Sequence, residues 1–120
     1  MSRSLCLLAL LLPGWAAAPP ERQFENHPAV VLSNDKLELL VLKQGGALAS
    51  VVLQDDSDKL NPLWNPARYA REAGRQPSSR AGLGHFICVD GFGPVSREEQ
   101  AAGLSGHGEA HTRFWELKSY

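Results

Sequence analysis

At 120 residues the chain is long enough for one domain at most. Its 12 basic and 13 acidic side chains nearly cancel, which excludes a general electrostatic attraction to nucleic acid or to an anionic membrane. Two cysteines exclude a disulfide-stapled miniprotein and a cysteine-rich zinc site, leaving a loop-rich globular class with a modest core.

The first residues follow the pattern of a secretory signal peptide, assigned to residues 1–18. Arg3 supplies the positive start, Leu5 to Leu12 the apolar run, and Pro13-Gly14 the break. Ala16, Ala17 and Ala18 offer the cleavage site, after Ala16 or after Ala18. The apolar run is below the roughly 17–25 residues that a membrane-spanning helix needs, so export to the periplasm or the exterior is the expectation. Cleavage removes Cys6 and leaves Cys88 as the one thiol. Its neighbours Phe86, Ile87 and Val89 are apolar, and a packed, inert cysteine is expected.

The mature chain then reads as strands. Ala29 to Leu32 is a short β-type run closed by the turn cluster Ser33-Asn34-Asp35. Leu37, Leu39 and Val41 alternate with Lys36, Glu38 and Leu40, the period of two that one strand face requires. Gln44-Gly45-Gly46 makes the next turn. Ala47, Ala49, Val51 and Leu53 follow on one face, with Leu48, Ser50 and Val52 on the other, so a hairpin about the glycine pair is expected. The acids Asp55, Asp56 and Asp58 lack the glycine and distal glutamate of a calcium loop and read as a solvated turn.

Asn61-Pro62-Leu63-Trp64-Asn65-Pro66 suits a sheet edge or a loop, since proline cannot donate to a ladder. Residues 67–81 carry Arg68, Arg71, Arg75 and Arg80 among small and polar residues and read as a mobile basic loop. Gly82 to Asp90 reads as a buried strand. Ser96-Arg97-Glu98-Glu99 has the S-x-x-E form of a capping box, opening a short helix that Gly103 ends. Thr112 to Tyr120 reads as a further strand.

No cofactor is implied by these residues. His107 and His111 stand four apart, yet Gly108 argues against a helix and the H-E-x-x-H order is not met. The H-x-E element lacks the P-C-x-x-C of zinc deaminases, and Gly91-Phe92-Gly93 lacks the third glycine of a dinucleotide loop. Cys88 with His85 or His107 shows no local signature of a nucleophilic site. Glycines on both sides of His107 leave its ring approachable by a ligand.

The segment Gly84-His85-Phe86-Ile87-Cys88-Val89-Asp90-Gly91-Phe92-Gly93-Pro94, followed by Gly106-His107-Gly108-Glu109-Ala110 and Trp115, resembles the aldose 1-epimerase (mutarotase) superfamily. It is most similar to the glucose-6-phosphate 1-epimerase pattern, G-G-I-P-V-C-F-P-W-F-G-P and then H-G-F-A-R with a tryptophan. The resemblance runs from about residue 30 to the end. Asp90 stands where that pattern has proline, Glu109 where it has phenylalanine, and His111 where it has arginine. Gly82 falls where those enzymes carry a sugar-binding arginine, with Arg80 two residues too early. The missing guanidinium groups argue against a sugar phosphate, as does export, and a neutral sugar or glycan is the expected ligand.

The resemblance implies a mainly β fold, with residues 24–120 forming the N-terminal part of a large antiparallel β-sandwich, incomplete in this chain. It makes His107 a substrate contact, and His107, with Asp90 near it and Arg80 as a third group, is expected to line the sugar site, since imidazole and carboxylate supply the donors and acceptors that hydroxyls need. It also implies that the acid histidine and base glutamate lie beyond Tyr120, so that catalysis is not expected of these residues alone. An open sheet would call for a further segment or another chain to complete it. The competing expectation is a small exported β-rich binding or interaction module without catalysis. Titrating aldohexoses and following the reading frame past Tyr120 separate the two.

Overall fold

The computed structural model describes residues 17–78 and 82–118. The fold is mainly β, a four-stranded antiparallel meander in the order β1 (Glu21–Phe24), β2 (His27–Ser33), β3 (Leu37–Leu42) and β4 (Leu48–Leu53). Two short helices follow, α1 (Pro66–Glu72) and α2 (Arg97–Ala101), and then a 3₁₀ turn over Ala110–Thr112. The expected signal segment falls outside the described residues up to residue 16. No helix among the described residues is long and apolar enough to cross a membrane.

Each hairpin has a local cause. Glu25 and Asn26 both take positive φ (48° and 66°) between β1 and β2, the conformation of a two-residue hairpin turn. At the second turn the Asn34 side-chain oxygen accepts from the backbone N–H groups of Lys36 and Leu37, each at 2.9 Å. Gly45 and Gly46 turn β3 into β4 with φ of 76° and 61°, closed by the Leu42 N–H on the Ala47 carbonyl at 2.8 Å. The hairpin expected about the glycine pair is therefore present. Its register shifts between Leu40 and Val41, because Leu40 faces Ser50 while Val41 faces Leu48, which leaves Ala49 as an extra residue. The shift breaks the simple alternation read along 47–53: Ala47, Ala49, Ser50 and Val52 are all buried.

The core gathers on one face of the sheet. Ala29, Val31, Leu40, Leu42, Ala47 and Ala49 cluster there with Leu83, and Phe24 packs against them. The alternate residues Leu37, Leu39 and Val41 are half-buried, so the deeper face of β3 is the one carrying Leu40 and Leu42.

The outer edge of β4 is occupied. Leu48 and His85 exchange two backbone hydrogen bonds of 2.9 Å. The Asn61 carboxamide then acts as a substitute peptide, donating to the Ala49 carbonyl at 3.0 Å and accepting from the Val51 N–H at 3.2 Å. Lys59 donates to the carbonyls of Leu53 and Gln54 at the strand's end. An edge covered in this way offers no free ladder for another strand.

Three expected elements differ. The segment expected as a basic loop is helical over Pro66–Glu72, because Asn65 caps it by accepting from the Arg68 N–H at 2.8 Å and Pro66 occupies the first turn. Gly74 (φ 65°) ends this helix, Arg75 to Ser78 are irregular, and Arg80 lies outside the described residues. Gly82 to Asp90 is not a buried strand: only the Leu48–His85 bridge forms, and Phe86, Cys88 and Val89 are exposed. Left-handed Gly84 (φ 63°) lets the backbone lie against Leu48, where a Cβ would collide with its carbonyl, and left-handed Asp90 (φ 59°) closes the run without strand geometry. Among its described residues, up to 118, the terminal segment forms no strand either, only an isolated bridge between Phe114 and Gln44. It is anchored by a 3₁₀ turn and by backbone hydrogen bonds to the β3–β4 loop, Gly45 N–H to the Arg113 carbonyl (2.7 Å) and Trp115 N–H to the Lys43 carbonyl (2.6 Å). The capping box at Ser96 forms as expected, its side chain accepting from the Glu99 N–H while the Glu99 carboxylate accepts from the Ser96 N–H.

Candidate functional site

Residues 85–95 and 103–115 form an irregular double layer. It is held together where glycines let backbones touch. A Cβ on Gly108 (φ 73°) would collide with the Val89 carbonyl, and Gly45 of the β3–β4 turn, where a Cβ would collide with the His111 carbonyl, ties the second layer to the sheet. Gly91 leaves 3.2 Å between its would-be Cβ and the Gly108 nitrogen. Ser105 closes the turn before Gly108 by donating its hydroxyl to the Gly108 carbonyl at 2.7 Å.

His107 is the staple between the two layers. Its N–H donates to the Gly93 carbonyl at 3.2 Å, and its own carbonyl accepts from the Val89 N–H at 3.3 Å. Its ring Nδ1 accepts from the Gly93 N–H at 3.2 Å and lies 3.3 Å from Cys88 Sγ. These contacts favour the tautomer with the proton on Nε2, the one ring nitrogen left for a ligand. Phe86 meets the ring edge-on at 5.0 Å between centroids and Phe92 at 5.9 Å. Cys88, expected to be packed, is instead exposed beside this imidazole.

Between the layers and the C-terminal end of α2 lies a cleft of about 460 Å³. Asp90, Phe92, Pro94, Leu104, Glu109 and Trp115 are among its walls. Phe92 is 90% exposed and Trp115 42%, so two aromatic rings are open to a ligand. The Trp115 indole is fixed by donating Nε1–H to the Ala110 carbonyl at 3.0 Å. Glu109 is held in an ion pair with Arg113 at 2.7 Å, whereas Asp90 has no ion-pair or hydrogen-bond partner among the described residues.

Of the residues expected to bind substrate, Asp90 lines this cleft. His107 stands behind its wall, next to the lining residue Gly108, and Arg80 lies outside the described residues. Sequence reasoning missed Phe92, Leu104 and Glu99 as cleft residues. The capping box placed Glu99 on a helix, but no local signal set it in the lining of a cleft shared with Asp90. His111 packs against Phe86 at 5.8 Å with its Nδ1 buried and without a partner among the described residues. No group of three or more metal-ligating side chains comes together among the described residues.

Away from the cleft, Glu25 ties the first hairpin to α1. Arg71 grips its carboxylate with two hydrogen bonds of 2.6 Å, and Asn65 donates a third at 2.9 Å. The Arg71 hydrogen bond holds the Glu25 carboxyl below the usual carboxylate range, against the opposing effect of burial.

Compared with protein-family models, curated proteins and solved structures, the chain matches none. The resemblance to aldose epimerases rests on the residues quoted for it.

Proposed function

We propose that the chain is a carbohydrate-binding segment of an exported, aldose-epimerase-like protein, and that the cleft beside Asp90 is its sugar site. The observation that carries this reading is the cleft itself. Its volume of about 460 Å³ suits a small ligand, and it pairs exposed aromatic rings with an uncommitted carboxylate. A sugar ring presents an apolar face for Phe92 or Trp115 and hydroxyl groups that need directional acceptors such as Asp90. His107 acts from behind the wall, holding the Gly91–Gly93 segment in place. The carboxylate rim supports a ligand without phosphate, a neutral sugar or glycan.

The same geometry supports binding without turnover. Opening an aldose ring needs one group to take the anomeric hydroxyl proton and another to protonate the ring oxygen, each typically contributing about 10²–10⁴ in rate. Among the described residues no imidazole lines the cleft, and Glu109 is engaged by Arg113. Polarimetry of freshly dissolved α-glucose or α-galactose is expected to give the buffer rate with the purified chain. A protein-dependent acceleration lost in Glu109→Gln would overturn this. Aldohexose titration is expected to shift cleft amides in the wild type and to weaken in Asp90→Asn; sugar shifts equal in both would remove Asp90 from the site.

The covered β4 edge favours a second reading, a small exported β-rich binding module in which no strand adds on that side. A further segment or another chain completing the sheet would have to add at β1.

A further inference from the structure

We infer that the ligand of this cleft carries a protonated amine, an amino sugar or a glycan containing free amino groups. This rests on the sugar-site reading but replaces its neutral ligand with a cationic one.

The cavity with aromatic walls carries an excess of negative charge among the described residues. Among the described residues three acidic side chains belong to its lining, Asp90, Glu99 and Glu109, against one guanidinium, that of Arg113. Arg113 is already committed to Glu109 at 2.7 Å. Glu99 gives one oxygen to the Ser96 N–H at 2.7 Å, which fixes its carboxylate without removing the charge. Asp90 is unpaired among the described residues, and its left-handed backbone (φ 59°) sets it at the bend where the segment turns into the cleft. An anionic sugar would meet net repulsion there. A plain hydroxyl would gain a hydrogen bond, and an ammonium would gain a charge-assisted one. An exposed aromatic face such as Phe92 also attracts a cation.

The test compares glucosamine, N-acetylglucosamine and glucose at about pH 6, where a sugar amine is protonated, following amide shifts in the intact chain. Glucosamine is expected to bind about five-fold more tightly than the other two, the size of one exposed charge pair. The preference should vanish at about 1 M salt and in the double variant Asp90→Asn, Glu99→Gln. Both replacements keep local structure, since asparagine accepts a left-handed φ and glutamine still completes the capping box. Equal affinities for glucosamine and glucose, or a preference that survives in salt and in the double variant, would overturn the inference while leaving the sugar site standing. Binding of none of the three sugars would remove the sugar reading itself.

Discussion

The sheet and the cleft are stabilised in different ways. In the sheet, successive strands pair with their neighbours through short turns, and apolar side chains meet on one face around Leu40, Leu42 and Ala49. In the cleft region, α2 and the 3₁₀ turn are short and bury no residue, and the layers are joined by glycine contacts, backbone bridges and the His107 staple. The sheet depends on burial and the cleft on close approach, so the two regions should fail differently.

The largest effect is expected from paired substitutions, one in each region. Leu40→Ala removes the largest fully buried side chain and is expected to cost about 2–5 kcal/mol, lowering the stability of the whole chain in denaturant. Gly108→Ala forces a Cβ into the Val89 carbonyl and should open the cleft layers while the sheet survives. Hydrogen exchange resolves the difference: Gly108→Ala should lose protection at the Val89 and His107 amides but not within β2 and β3. Uniform loss in both variants would show the two regions to be one cooperative unit.

A smaller effect tests the sheet's edge. Asn61→Ala removes the carboxamide that satisfies Ala49 and Val51, opening the middle of the β4 edge between the His85 bridge and Lys59. A loss of about 1–3 kcal/mol is expected, together with faster self-association, read by denaturation and by light scattering. Unchanged stability and no association would show the edge to be indifferent to this cover.

The smallest effect concerns Glu25. Its folded carboxyl titrates below the unfolded value, so its contribution is present above the ordinary glutamate pKa and is lost as pH falls through the lowered folded value. Glu25→Gln should cost about 1 kcal/mol at neutral pH and flatten the acid side of the stability curve. An identical acid limb in wild type and variant would contradict the Arg71 contact as its cause.

The same contrast explains what could be read in the sequence. The β3–β4 hairpin was legible because period-two alternation and a glycine pair are local signals, and so was α2, whose capping box spans four residues. β1 was missed because Glu21 to Gln23 are polar and exposed, and its turn uses Glu25-Asn26 without a glycine. The helix after Asn65 was hidden by a basic composition that looked loop-like, although Asn-Pro is itself a capping signal. The apolar run at 82–90 suggested burial, but no composition reveals that Gly84 and Asp90 take left-handed backbone and interrupt strand geometry. The motif segments Gly84–Pro94 and Gly106–Ala110 with Trp115 supply most of the cleft's lining, although only Asp90 among them was singled out as a ligand group that lines it. Its walls are brought together by contacts such as Gly108 against Val89, far apart in sequence.

The most direct test of the account is where in the molecule a sugar is felt. Amide shifts on titration with glucosamine should concentrate at Gly91, Gly93, Gly108 and the Trp115 indole, with β1 and β2 unchanged. Shifts confined to the sheet, or spread evenly over the chain, would contradict the assignment of the cleft as the binding site.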